Sequence, residues 1–510
     1  MAHGTEERVK AHAVLLGNDY RPGIDFGDNT YAPCAQIRTA RMMVADAVQH
    51  RKCIKACDAK QAFTNGQAER RVFVQAPPGR ARDYDDQTGE PYVYEITKNC
   101  YGSPTAPRQW NIELHNSMIQ FGFRQRTSDQ SLYTLGDLSV LVYTDDFMST
   151  YPDTVDGTDL YRTFINMLES KYELRDDGMQ DCVDFVGLHF EFNSDRSVCH
   201  ITQPLKLQQL FDSSGLSLCR PQFTPDIPNV LVSSLDCPSP GDLDQIEFMK
   251  SKPYRKHVGK LLWIARSTRP DIAYQVNALA RVAHNPGKAH WDASTYLIRY
   301  LHHTSDYGLT YVRDPVYDTT PGQWKSVAWS DATWAPDYGD VYDNYRSTTG
   351  WMVSVGQNVV NWCSHRQPVV AQSSTESEWY AAADAAKEAA YFRHMFNDLS
   401  IPIHGPISLR CDNQSTIKQS INAVDQKNSR HIGQRAHFLR QQCNSGQLKL
   451  LYVPTREQRA DLFTKCLPMP AHEYLRSQMF VLPRKMAFSD IYSLDVTCRD
   501  LFFFSQSQIQ

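Results

Sequence analysis

The sequence predicts an α+β chain of about three domains. Three observations carry that class. The first is material: 510 residues, 41% hydrophobic and 22% charged, are enough for more than one core, which excludes disorder, collagen-like repetition and a disulfide-scaffolded miniprotein. The second is punctuation, since the Pro-, Ser- and Asp-rich stretches 223–250 and 314–324 read as linkers. They divide the chain into 1–222, a helical 251–313, 325–468 and a tail, 469–510. The third is period, because strand and helix patterns are mixed on both sides of the linkers.

The elements follow in order. Cys53 to Cys57 is a short strand and Ser139 to Tyr143 a short apolar one; Asp159 to Tyr172 has helical spacing and Cys182 to Phe192 alternates as a strand. Tyr254 to Leu301 repeats apolar residues at helical spacing, with breaks at Pro270 and Pro286. A strand then ends at Asp331, Gly350 to Trp362 reads as a hairpin, and Thr375 to Phe396 is an Ala-rich helix. Strands at Ile407 to Cys411 and Leu448 to Val453 and a short final helix complete a mixed sheet flanked by helices.

Thirteen cysteines are scattered without paired Cys-x-x-Cys spacing, which favours reduced thiols over a zinc site. No apolar run approaches about 18 residues, and Met1 to Lys10 lacks a secretory core. The expectation is a soluble intracellular chain with no membrane partner. Its net charge is −4, yet Arg255, Lys256, Lys260, Arg269, Arg281 and Arg299 gather in one segment, interleaved with Tyr254, Trp263, Tyr274, Trp291 and Tyr300. That pattern is either a solvated basic helical face or a groove for a polynucleotide backbone.

Two groups of acids stand out. Tyr143-Thr-Asp145-Asp146 follows an apolar run and precedes Phe147-Met148, which puts adjacent carboxylates in a tight turn between strands. Such neighbours repel unless a cation neutralises them, and oxygen-only ligation selects Mg²⁺ or Mn²⁺, two of which can clamp a phosphoryl displacement. Asp58, at the end of the Cys53 strand, offers a third acid. The plain alternative is a surface turn rich in Asp.

Beyond the second linker, Asp331 at a strand end, Glu378 near a helix start, Asp412 after a strand and Asp461 in the last helix form the second group. Such a set suits a two-metal nuclease. The helix leaves a choice between Glu376 and Glu378. Helical steps from Glu378 meet Ala382, Ala385 and Ala389, a small-residue stripe able to lie on a sheet, so Glu378 is the expected ligand and Glu376 a helix-dipole partner. For Asp461 an alternative stays open: Thr455 and Gln458 make a capping box, and Asp461 is spaced to pair with Lys465.

Taken in order, Ile24-Asp-Phe, Cys57-Asp-Ala-Lys-Gln-Ala-Phe-Thr-Asn-Gly, Tyr101-Gly-Ser-Pro-Thr-Ala-Pro-Arg-Gln-Trp110, Tyr143-Thr-Asp-Asp and Phe185-Val-Gly-Leu resemble the reverse transcriptase of copia-type LTR retrotransposons. Thr268-Arg-Pro-Asp-Ile, His290-Trp291, Ser373-Ser-Thr-Glu-Ser-Glu378, Arg410-Cys-Asp-Asn, Lys427-Asn-Ser-Arg-His431, His437-Phe and Ala460-Asp-Leu-Phe-Thr-Lys465 extend the likeness into the ribonuclease H domain of those elements. The resemblance spans roughly 8–468. It implies a right-hand polymerase with palm and truncated fingers, a helical thumb or connection, and an α/β ribonuclease H-like domain. Asp58, Asp145 and Asp146 would ligate two ions, Mg²⁺ or Mn²⁺, at the polymerase site, and Asp331, Glu378, Asp412 and Asp461 two more at the nuclease site. Phe63 matches the aromatic that excludes a ribose 2′-hydroxyl, with a core aromatic as the alternative, and Lys10 and Tyr101 are further nucleotide-binding positions. Phe185-Val-Gly-Leu resembles the segment that holds the primer end.

The implied partners are an RNA template, a DNA primer, RNA/DNA hybrid, deoxynucleoside triphosphates and other products of a polyprotein, in cytoplasmic particles with later nuclear entry of the DNA. Departures from the family pattern are Thr144 where Val is usual, Cys100-Tyr-Gly-Ser-Pro-Thr-Ala-Pro where Leu-Tyr-Gly-Leu-Lys-Gln-Ser-Pro is usual, His12 in place of an Arg, and Arg456 where many ribonucleases H carry a His. His12, the truncated fingers and the atypical tail 469–510 favour an alternative, an inactive or host-adapted remnant that binds nucleic acid without turnover, and the seven retained acids oppose it.

Overall fold

The structure, a computed structural model, describes residues 14–24, 26–27, 29–76, 84–85, 87–176, 182–216, 219–227, 232–314, 324–334, 345–403, 405–421 and 433–489. Lys10, His12, Asp25 and Lys427 to His431 lie outside the described residues. The chain forms two compact units, one of Met1–Gln36 with Lys55–Gly178 and the other of Ile37–Ile54 with Met179–Gln510.

The first unit is organised on a six-stranded sheet in the order Arg124–Gln125, Leu132–Leu135, Leu138–Tyr143, Asp146–Tyr151, Cys53–Ala59, Leu174–Asp176. Leu132, Val140, Leu141, Phe147 and Met148 are fully buried, as are Phe164 and Leu168 of the Val155–Glu169 helix. That helix starts four residues before the expected Asp159. The Thr154 hydroxyl accepts from Gly157 N at 3.1 Å, capping a first turn whose residues are too polar to show a period. The Ala106–Phe121 helix opens on Pro107.

The second unit holds two sheets and a helical bundle. One sheet is antiparallel, in the order Val481–Pro483, Tyr307–Val312, Val198–Thr202, Leu188–Phe192, Cys182–Phe185. The single strand expected over Cys182 to Phe192 is therefore a hairpin. Val186 and Gly187, at φ of 52° and 73°, make its two-residue turn, the pattern of type I′. The other sheet runs Asn358–Arg366, Thr348–Val355, Ser326–Thr333, Ile407–Cys411, Leu448–Tyr452, with the first three antiparallel and the last two pairings parallel. The Ser374–Asp398 helix packs on it through Ala382, Ala385 and Ala389, all buried. Helices Pro204–Ser214, Tyr254–Ser267, Ala273–Arg281 and Lys288–His303 close around Leu210, Leu261, Ile264, Leu297 and Leu301.

Two boundaries differ from the sequence reading. The units part near Gly178 rather than 222, because Val198–Thr202 pairs with Tyr307–Val312 of the second unit. Nor is 469–489 a free tail: Val481–Pro483 adds to that same sheet beside Tyr307. The sequence also gave no warning of the Ile37–His50 helix, buried along Thr39 to Gln49. Its Arg41 is wholly buried, donating to the carbonyls of Arg266 and Ser267 and to Asn361 Oδ1, and lying 4.0 Å over the Trp362 ring.

Candidate active sites

In the first unit, Leu138–Tyr143 and Asp146–Tyr151 are joined by the two-residue turn Thr144-Asp145, closed by the pair Tyr143 and Asp146. Thr144 has φ of 58°, the sign that a type II′ turn requires at its first position and that a β-branched residue resists. The turn is fastened from two directions. Trp110 Nε1 donates to the Thr144 carbonyl at 2.6 Å, and Ala59 N donates to the Asp145 carbonyl at 2.8 Å. The second bond ties the turn to the strand that carries Asp58. One carboxylate oxygen from each of Asp58, Asp145 and Asp146 lies within 4.8 Å of the others.

The wall beside this cluster comes from the 101–110 segment. Gly102, at φ of 87°, is pressed by Leu15, whose carbonyl oxygen would stand 2.0 Å from any Cβ, so a side chain has no room. Tyr101 is half-buried, and its hydroxyl pKa is raised by burial and by the Asp145 and Asp58 charges. Phe63 meets it edge-on, 5.0 Å between ring centroids. The structure thus brings Asp58, Asp145, Asp146, Tyr101 and Phe63 together.

In the second unit the four acids converge at one end of the mixed sheet. Asp331 is on the central strand, Glu378 on the long helix, Asp412 one residue past Cys411, and Asp461 in the 3₁₀ turn Arg459–Phe463. Asp331, Glu378 and Asp461 are buried and Asp412 is half-buried. Glu378 Oε1 accepts from Ala332 N at 3.3 Å. Glu376 instead caps its own helix, its carboxylate accepting from Gln372 N at 2.7 Å while its N–H donates to Ser373 Oγ. Gly350 makes room for the 3₁₀ turn: a Cβ there would lie 2.7 Å from Phe463 Cβ and 2.9 Å from the Ala460 carbonyl oxygen.

The electrostatics are those of crowded anions. Burial, then the Asp331 and Asp412 charges, pushes Glu378 well above the usual carboxylate range. Burial and Asp331 raise Asp412, and the same two causes carry Asp461 to about 8. One cation answers them from within the chain. Lys465 Nζ stands 2.9 Å from Asp461 and 3.9 Å from Asp331, and the Thr464 hydroxyl donates to Asp331. The capping box expected of Thr455 and Gln458 does not form. Thr455 Oγ1 donates to Asp412 at 3.0 Å, and Gln458 reaches back to the Ser330 carbonyl. Asp461 and Lys465 do pair, inside the cluster rather than instead of it.

Sequence reasoning missed Cys411, whose buried thiol lies 3.8 Å from Glu378 Oε2, and Thr464. The only signal was their place inside the motifs: Cys411 adjoins Asp412, and Thr464 stands three residues past Asp461. His437 is exposed.

The basic segment needs a correction. Arg269 is wholly buried and cannot track a phosphate backbone. Its guanidinium is bidentate to Asp271 at 2.9 and 2.8 Å and donates to Thr304, while Tyr300 OH donates to Asp271 at 2.8 Å. Tyr254, Tyr274 and Tyr300 are buried too. Arg255 and Lys256 remain exposed, and Lys260, Arg281 and Arg299 are half-buried. Lys260, Arg281 and Arg299 donate to Gln209, Thr348 and Arg220 respectively.

Residues 2–228 match the family described as reverse transcriptase (RNA-dependent DNA polymerase). The chain is 30% identical over 487 residues to the Retrovirus-related Pol polyprotein from transposon RE2 of Arabidopsis thaliana, covering 94% of this chain and 31% of that protein. Over most of its length the chain is similar to copia-type retrotransposon Pol polyproteins. A second relative, from transposon TNT 1-94 of Nicotiana tabacum, is 27% identical over 467 residues, covering 90% of this chain and 33% of its own length. This chain therefore spans about a third of those Pol relatives. A foamy viral protease-reverse transcriptase solved with RNA/DNA hybrid aligns at a TM-score of 0.44 and 11% identity, over 82% of this chain and 46% of its own. Among the described residues no helix is long and apolar enough to cross a membrane.

Proposed function

We propose that the chain is an RNA-directed DNA polymerase with ribonuclease H activity. The first unit would act as palm and fingers, and the 204–303 helices as thumb or connection. The observation that carries this reading is the presence of two separate carboxylate clusters, each fixed at strand ends, in one chain similar to those Pol polyproteins.

Both donor sets fit hard divalent cations. The first is Asp58, Asp145 and Asp146; in the second, Glu378 and Asp412 lie within ligand distance of each other beside the Cys411 thiol, and burial and neighbouring charges raise Glu378, Asp412 and Asp461, a condition that a cation relieves. Bound Mg²⁺ or Mn²⁺, two per site, would supply the positive charge that stabilises a phosphoryl displacement. The chain's residues do the positioning. Trp110 and Ala59 hold the Thr144-Asp145 turn against the Asp58 strand, Tyr101 with Phe63 forms the wall where a deoxynucleoside triphosphate sugar would rest, and Lys465 with Thr464 orients Asp331 and Asp461. The substrates on this reading are RNA template, DNA primer, the hybrid they form, and deoxynucleoside triphosphates.

A labelled RNA/DNA hybrid with a recessed DNA 3′ end tests both activities in one tube with Mg²⁺ and deoxynucleotides. Asp145→Asn is expected to lower extension by at least a hundredfold and leave RNA cleavage intact; Asp412→Asn is expected to do the reverse. A variant that loses both activities while still folded would contradict two independent sites. Tight binding with neither activity in the unmutated chain would favour the inactive remnant.

A further inference from the structure

The mixed sheet of the second unit carries a cavity of about 130 Å³ that neither carboxylate cluster uses, lined by Val327, Trp329, Ser354, Gly356, Gln357, Arg410 and Arg459. Two arginines share one aromatic ring there. The Arg410 guanidinium carbon lies 4.6 Å from the Trp329 ring centroid and that of Arg459 lies 4.8 Å from it. Trp329 is 3% exposed, and its indole N–H has no acceptor. Among the described residues, Arg410 makes no hydrogen bond and no ion pair. Glu457 acts on Arg410 through its charge alone, with no ion pair between them. No carboxylate lines the cavity.

Such an arrangement is costly as it stands. Two like charges held over one ring repel, and a half-buried guanidinium without an anion has lost water without a replacement. Cation–π contact offsets part of this, but leaves the Arg410 N–H donors and the Trp329 indole N–H unanswered. Burial accordingly lowers the Arg410 pKa below the ordinary arginine range. A tetrahedral oxyanion answers every one of these donors, and guanidinium forks match its geometry. The cavity is several times the roughly 30 Å³ share of one water and below the roughly 300 Å³ at which small-molecule pockets begin. It therefore takes a single oxyanion group rather than a whole nucleotide.

Its placement suggests whose oxyanion. Trp329, Arg410 and Arg459 each stand two residues before an acid of the cluster, Asp331, Asp412 and Asp461 respectively. On a strand that offset keeps the face and advances about 6.6–6.8 Å. We propose that Arg410, Arg459 and the Trp329 indole form a phosphate site, and that a backbone phosphate of the nucleic acid bound at the neighbouring carboxylates occupies it. The identity of the donor strand rests on the proposed function; the anion site does not.

Two measurements on the full chain test this. Thermal melting with inorganic phosphate, against chloride at equal ionic strength, reads the site alone. Phosphate is expected to raise the melting temperature of the unmutated chain and to lose that effect in Arg410→Gln. Fluorescence anisotropy with a labelled RNA/DNA hybrid in EDTA reads the source. Loss of one phosphate contact is expected to reduce the slope of log K against log salt by about 0.9, hence to weaken binding about eightfold near 0.1 M salt. Arg162→Gln, on an exposed helix of the first unit, is expected to change neither.

Trp329→Phe, which keeps the ring and removes the N–H, and Arg410→Lys, which keeps the charge, are expected to give intermediate losses and serve if Arg410→Gln misfolds. An equal phosphate effect in the unmutated chain and Arg410→Gln, or none in either, overturns the site. A phosphate effect that depends on Arg410 beside an unchanged hybrid slope overturns the nucleic-acid assignment. Hybrid binding with the expected slope change but no RNA cleavage would instead fail the proposed function and leave the site standing.

Discussion

Asp461 shows at the scale of one residue what the second cluster requires. Its carboxyl, raised to about 8 by burial and Asp331, is mostly protonated at pH 7, whereas a carboxylate must be ionised to hold a metal. Divalent binding is therefore expected to release protons at neutral pH, and the apparent affinity to rise with pH through about 8. Calorimetric titration with Mn²⁺ at pH 7 in two buffers of different ionisation heat measures the release directly; identical heats in the two buffers would refute it. Lys465→Met removes the ammonium that holds Asp461 down, so proton release should persist to higher pH. Single residues were unevenly legible in the sequence. Glu378 could be separated from Glu376 because the Ala382, Ala385 and Ala389 stripe shows which helix face meets the sheet. Arg269 could not be separated from Arg255, since composition gives both the same charge and only the fold reveals that Asp271 and Thr304 surround one of them.

Elements explain the motif around that arginine. Thr268-Arg-Pro-Asp-Ile ends one bundle helix and begins the next, with Pro270 opening the turn and the Arg269–Asp271 pair buried beneath it. Burial alone would raise Asp271, but the Arg269 guanidinium outweighs it and holds the carboxyl at about 2. Its ordinary value is about 3.9, so the pair's contribution is present above that pH and lost as pH falls toward 2. Arg269→Gln leaves a buried carboxylate unpaired, and about 3–5 kcal/mol of destabilisation is expected from denaturant unfolding at pH 7. A loss below about 1 kcal/mol would show that the pair is not what anchors the turn.

His365 on the Asn358–Arg366 strand acts with the opposite sign. Its hydrogen bonds to Asp384, then to Cys363, raise it to about 9. That stabilisation is complete below the ordinary histidine value of about 6.5 and disappears as pH rises through about 9. His365→Gln is expected to flatten the decline in urea midpoint between pH 6.5 and 9. Regular elements were the most legible scale. Ile407–Cys411 was found residue for residue, because Ile407, Leu409 and Cys411 alternate with Ser408 and Arg410 between Pro406 and Asp412. The Val186-Gly187 turn was missed, because the inward set shifts there from Val183 and Phe185 to Leu188, Phe190 and Phe192, and apolar Val186 masks the shift by extending the second series.

For the whole molecule, sequence order and spatial grouping disagree. Residues 37–54 belong with 179–510 and not with the residues on either side of them. Linker composition could not show this, since a polar stretch marks where chain is loose rather than which strands pair. The Ile37–His50 helix stayed hidden for a related reason: Arg41, Asp46 and Gln49 are buried, so its pattern of polar and apolar residues does not match its inward face. Cutting the chain at 179 removes that helix from its own core. A fragment of 179–510 is expected to bind hydrophobic dyes and melt without a cooperative transition, and a peptide of residues 37–54 added in trans is expected to restore one. A cooperative, dye-free fragment without the peptide would contradict the assignment.

The same helix sets a schedule for biosynthesis. Its partners include the Asn358–Arg366 and Tyr307–Val312 strands, and the latter pairs with Val481–Pro483. At about 5–20 residues per second, the ribosome delivers that last strand on the order of 20–90 s after the helix has emerged. Until Tyr307–Val312 and Asn358–Arg366 emerge, the nascent chain carries that segment with nowhere to dock, and the second unit can complete itself only once Val481–Pro483 has been made.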